Sequence, residues 1–219
     1  MVRQQGFRGF RAVVISLGLG AAFLLPGLVQ PVAAYSGWNA ASWADSHWNS
    51  ATSAPPSPYS WNTGGSDCAT FVSIAMRVGG GFRPVNNSYV ADRWYFNSWA
   101  SLTPSWINTW DLYNFLMVDW PGGSTYAVTP GNVAAPYNNL AVGDLVFFNW
   151  HGTGPGGITH VAMEAGWGSW QDSRWGGYHT GDYIDQHTND RLHQAWNGYY
   201  WNDYRDSTTV FSIHIDPSM

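Results

Sequence analysis

The chain has no lysine and a single glutamate, Glu164, in 219 residues. All 9 basic residues are Arg, and the other 13 acids are Asp. Charged residues make up 11 % of the sequence, against a usual ~25 %. With a formal net charge of −5, the chain carries no electrostatic footprint for DNA or RNA. It has one cysteine, Cys68, which excludes an internal disulfide framework and a cysteine-cluster zinc site. Scarce Lys and Glu beside 25 Gly and 12 Pro argue against a long-helix bundle. Aromatic residues are abundant: 15 Trp, 12 Tyr and 10 Phe. So many aromatics with so few charges exclude a wholly disordered chain. The balance suggests a loop-rich α+β or β protein.

Residues 1–34 read as an address. Arg3, Arg8 and Arg11 come without an acid, an apolar run follows from Ala12 to Val29, and Val32 and Ala34 fit the small-residue rule before a cleavage site. A secretory signal peptide ending at Ala34 is expected, with residues 35–219 as one exported domain. The competing reading is a retained membrane anchor. Gly18, Gly20 and Pro26 interrupt the apolar run, and no stable membrane insertion is expected after cleavage. The remaining chain holds 6 Arg against 14 acids, so charge draws it to neither anionic membranes nor anionic polymers. Export implies an oxidising environment, where a lone Cys is buried, paired between chains or kept as a reactive thiol.

The pattern predicts helices over Tyr35–Asn49, Asp67–Val78 and Thr109–Asp119. In the second, Asp67 is the expected N-cap and Gly79-Gly80-Gly81 the stop. Residues 50–66 and 120–139 read as loops, and 82–108 have no clean period. Strands are expected over Asp144–Trp150, Thr159–Trp167, Tyr183–Thr188 and Thr208–Ile215. Helices first and an antiparallel meander afterwards give an α+β fold.

Cys68 stands in the first turn of the second helix, where the helix dipole and unpaired N–H groups favour a thiolate and can hold an oxyanion. The competing reading is a small buried hydrophobe. Asp67 and Ala69 beside it, and Tyr59 in the preceding loop, are candidates for oxyanion or substrate support. A thiol nucleophile needs a base. His160 opens a predicted strand on which His160, Ala162 and Glu164 share one face. His187, near the end of the next strand, could orient the second ring nitrogen of His160; Asn189 or Asp185 would take that place on a two-residue slip. No role is assigned to His47, His151, His179, His193 or His214. No metal-ligand spacing such as H-E-x-x-H occurs, so neither a metal nor another cofactor is expected.

Three ordered blocks are specific together: Asp67-Cys68-Ala69-Thr70-Phe71-Val72, Gly143-Asp144-Leu145-Val146-Phe147-Phe148, and His160-Val161-Ala162. They resemble the NlpC-type, papain-like cysteine peptidases. With the Tyr35–Trp48 helix, Gly65–Ser73, Trp94–Trp110 and the Gln186-His187-Thr188 segment, the chain is most similar to the branch described as the putative amidase domain. The resemblance implies a papain-like fold in which N-terminal helices pack on a small antiparallel sheet. It implies Cys68 as nucleophile, His160 as general base, His187 as third residue, and the Cys68 backbone N–H in the oxyanion hole. The implied activity is amide hydrolysis in peptidoglycan peptides by an extracellular or wall-associated enzyme. The chain departs from the branch at Ala69-Thr70 and Ile74, where it often has Thr-Asn and Gln. A long, Trp- and Gly-rich hairpin loop is expected between His160 and His187, including Trp167, Trp170, Trp175, Gly176 and Gly177. The alternative is a catalytically silent module binding wall or glycan on the same fold.

Overall fold

A computed structural model describes residues 34–62, 67–83, 93–119, 123–128, 140–152, 154–171, 177–196, 203–204 and 207–215. Contacts divide the chain into Met1–Val32 and Ala33–Met219; the account below concerns the second unit. The leader expected over 1–34 lies outside the described residues except for Ala34. So do Gly64 to Ser66 and the Trp175-Gly176 pair.

Helix α1 spans Gly37–His47, with Ser36 accepting the Asn39 N–H as its cap. It buries Ala40, Ala41 and Ala44, a small-residue side that lets its backbone come close to its neighbours. Helix α2, Cys68–Ile74, is buried along its whole length and runs on into a π-turn over Ala75–Gly79. A short helix α3, Pro104–Ile107, precedes α4, Thr109–Asn114, whose cap is Asn108 and which also widens into a π-turn over Phe115–Asp119. The three predicted helices are therefore present, two of them with π-helical ends.

The strands are β1 (Phe96–Ser98), β2 (Ser101–Leu102), β3 (Gly123–Val128), β4 (Leu145–Asn149), β5 (His160–Gln171), β6 (Tyr178–Gln186), β7 (Arg191–Ala195) and β8 (Thr209–Ile215). β1 and β2 form a small hairpin; the others make one antiparallel sheet in the order β3-β8-β4-β5-β6-β7. The mixed α+β class is as expected. Three details are corrected. Residues 123–128, expected as loop, are a strand pairing with β8. Arg191–Ala195 adds the strand β7 at the β6 side of the sheet. The expected long hairpin loop is largely strand, because β5 and β6 continue pairing out to Gln171 and Tyr178.

Alternation along the strands sorts two cores. Leu145, Phe147, Val161, Met163, Phe211 and Ile213 face the helices and join Phe71, Ile74, Leu112 and Trp106. Val146, Phe148, Ala162, Ile184 and Val210 form a second cluster with Trp196. A strand buried on both faces reads as a continuous apolar run, which is why β4 was legible from Leu-Val-Phe-Phe alone.

Candidate active site

Cys68 is the first residue of α2 and is 1 % exposed. Its Sγ lies 3.5 Å from Thr109 Oγ1, at the start of α4. The helix packs against β5 and β6, the strands that carry the histidines and the segment after them. Asp67 precedes the thiol but does not act as the expected cap: its side chain makes no bond to the helix N–H groups. It faces the turn after β6 instead, where Oδ2 accepts from His187 Nδ1 at 3.1 Å and Oδ1 from the Thr188 hydroxyl at 3.3 Å. The Asp67 backbone N–H in turn donates to Thr188 Oγ1 at 3.0 Å. First-turn N–H groups have no partner within their own helix, and Asp67 supplies no side-chain acceptor for them.

His160 is 5 % exposed. Its Nε2 lies 3.0 Å from Gln186 Oε1. The amide of Gln186 is oriented by its other end, since Nε2 donates to the carbonyls of Thr188 and Asn189, each at 3.4 Å. With the amide nitrogen so engaged, its oxygen must face the ring, and an oxygen there requires His160 to carry its proton on Nε2. Nδ1 is then the basic nitrogen. Phe148 and Trp150 flank the ring at centroid distances of 5.6 and 5.5 Å.

This corrects the expected third residue. His187 does not orient His160. It is fully buried, its Nδ1 faces Asp67, and its Nε2 lies 2.6 Å from the carbonyl of His47. Both ring nitrogens meet groups that can only accept, so both are used in joining α1 to the start of α2. Phe71 stacks on the ring at 4.2 Å and Trp61 meets it edge-on at 4.3 Å. The physical reason is the turn after β6. Pairing with β7 shifts register between Ile184 and Gln186, and Thr188 and Asn189 adopt φ of 66° and 64°. That left-handed pair swings the two carbonyls back toward Gln186 and leaves His187 on the helix side.

The alternative orienting residues have other partners. Asn189 contributes its carbonyl to Gln186. Asp185 Oδ1 accepts the His193 backbone N–H at 2.9 Å. Tyr59 stacks on Trp106 at 5.6 Å with Phe96 beside it, and Ala69 is buried in the core. Sequence reading did not single out Gln186 as the neighbour of His160, because a histidine follows it. Its signal was the pair of turn-forming residues Thr188 and Asn189, which make it the last residue of its strand.

Asp144, in the Gly-Asp block, is structural. Its oxygens accept from His214 Nδ1 at 2.9 Å and from the N–H groups of Ala141 and Ile215 at 2.8 and 3.3 Å. Burial pushes its carboxyl up, against the pull of these donors. Gly143 is required by its φ of 93° and by its packing, backbone on backbone, against Gly37. The buried Tyr35 hydroxyl donates to the Gly143 carbonyl at 2.7 Å. A separate cleft of about 510 Å³ lies over α3 and α4, lined by Arg93, Ser105, Asp111, Asn114 and Phe115 among others, and neither Cys68 nor His160 lines it.

No helix among the described residues is long and apolar enough to cross a membrane. No curated protein and no solved structure matches the chain. A family model, described as putative amidase domain, matches residues 34–211 and takes in α1, the Cys68 helix, the Gly-Asp strand, His160 and the Gln186–Asn189 turn. The chain belongs to that family.

Proposed function

We propose that the protein is an exported cysteine amidohydrolase of papain-like type whose substrates are peptide amides, those of peptidoglycan in particular. The observation that carries the reading is the Gln186 amide, which fixes His160 as the Nε2–H tautomer. A carboxamide behind the imidazole orients the ring and supports the cation it becomes.

His160 Nδ1 takes the proton from the Cys68 thiol, and the thiolate sulfur attacks the amide carbonyl carbon. The carbonyl oxygen becomes an oxyanion held by the Cys68 backbone N–H at the start of α2. As the C–N bond breaks, His160 returns its proton to the leaving amine. Water, losing a proton to His160, then splits the thioester and restores the thiol. The Asp67–Thr188 contacts hold the turn that orients Gln186 against the helix that carries the nucleophile.

Peptidoglycan is supported by the family resemblance, and export by Arg3, Arg8, Arg11, the apolar run and the Val32–Ala34 site. The test is amine release from cell-wall fragments under reducing conditions. Wild type should release new amine, and Cys68→Ser should fall by at least about 10³-fold. No release by wild type, or equal release by the variant, overturns the reading. An inert thiol together with saccharide-dependent Trp fluorescence would favour a silent glycan-binding module, for which exposed Trp38, Trp99 and Trp167 are the candidate contacts.

A further inference from the structure

Three side chains from distant parts of the chain meet on the other side of the sheet segment that carries Gln186. Asp45 lies in the last turn of α1, Asp185 on β6 and His193 on β7. One oxygen or nitrogen from each lies within 4.8 Å of the others. His193 Nε2 is 2.6 Å from Asp45 Oδ1. Asp185 is fully buried; its Oδ1 takes the His193 N–H, while its Oδ2 is buried and has no hydrogen-bond partner. We propose that Asp45, Asp185 and His193 form a binding site for a divalent cation of the zinc class, clamping the end of α1 to β6 and β7.

Two features need such an ion. A buried carboxylate oxygen without a donor is costly, and the Asp45 carboxylate stands within 4.8 Å of the Asp185 carboxylate. Asp45 also sits at the negative end of the α1 dipole, where a carboxylate is disfavoured and a cation favoured.

The donor set selects the ion. One imidazole and two carboxylates suit zinc or manganese, whereas calcium prefers an all-oxygen shell. A tetrahedral zinc holds its ligand atoms about 3.3 Å apart, so Asp45 Oδ1, now 2.6 Å from His193 Nε2, gives up that hydrogen bond and turns slightly away from the ring as the ion enters, with water as fourth ligand. Tyr183, whose ring lies 4.2 Å from that of His193, shields one side. The ion touches no reacting atom. Its role is to fix α1, whose His47 carbonyl receives His187, against the strand that ends in Gln186.

The test uses the full chain stripped with a chelator, then titrated calorimetrically with zinc chloride. One zinc per chain should bind and raise Tm by about 5–10 °C at a hundredfold excess over Kd. Asp45→Asn and His193→Gln, both at partly exposed positions, should each weaken binding at least tenfold while circular dichroism stays unchanged. Cobalt should give a tetrahedral visible spectrum with no thiolate charge-transfer band. The proposal is overturned by no saturable uptake up to millimolar zinc, by uptake unchanged in both variants, or by a thiolate band placing the metal on Cys68.

Discussion

Gln186 is held at three points, by His160 through its oxygen and by the Thr188 and Asn189 carbonyls through its nitrogen. That makes it the most informative single position for the proposed chemistry. Gln186→Ala should lower kcat on the order of 10²-fold with KM little changed, read from initial rates on an amide substrate. Cys68 alkylation should slow in parallel, because a misoriented His160 no longer takes the thiol proton. Equal kcat in the variant would leave Gln186 a packing residue. The candidates Cys68 and His160 stand out in the sequence because each lies in an ordered, distinctive block. Alternation alone does not separate Gln186 from His187 there, because it stops one residue before the histidine. Only the two left-handed residues, 188 and 189, decide which side chain faces His160.

Among the elements, the second helix depends on closeness to the first. A Cβ added to Gly79 would stand 2.5 Å from Trp43 Cβ, 2.9 Å from the Asn39 carbonyl oxygen and 3.1 Å from Ala40 Cα. The backbone of α1 cannot yield cheaply, so Gly79→Ala should destabilise by about 1–3 kcal/mol, seen as a lower urea midpoint with unchanged slope. The glycine run was legible as a helix stop. The π-turn before it and the contact it permits were not, since local pattern carries no sign of a neighbour some 40 residues away. The missed strands have a similar cause. β3 opens on Gly-Ser-Thr and β7 reads Arg-Leu-His-Gln-Ala. Both lie at the ends of the strand order, where one flank has no partner strand among the described residues and polar residues are tolerated. The inner strands β4, β5 and β8 carry the β-branched and aromatic runs that period-2 reading detects.

At the scale of the molecule, a chain poor in charge has buried several of its few acids. Glu164, the only glutamate, is 1 % exposed, and its Oε2 has no hydrogen-bond partner among the described residues. Burial first, and then the charges of Asp182, Asp144 and Asp185, hold its carboxyl well above the ordinary 4.5. The folded chain thus keeps a proton that the unfolded chain releases. Stability from this site is complete below about 4.5 and declines as pH rises toward the elevated folded value. Thermal unfolding followed from pH 4 to 8 should show that fall, and Glu164→Gln should flatten it and raise Tm at neutral pH. An identical slope in the variant would place the pH dependence elsewhere.

The strand order carries a consequence for how the molecule is made. β8, the last strand, lies between β3 and β4 rather than at an edge. A chain emerging from the ribosome therefore reaches residue 208 with one inner position of its main sheet vacant. β4 then lacks its second neighbour, and β3 lacks the only strand it pairs with among the described residues. The turn that orients Gln186 meets the Cys68 helix across 121 residues of sequence, so that assembly also waits on late synthesis. On the proposed chemistry, the thiol gains its oriented base only once residues 186–189 have been made.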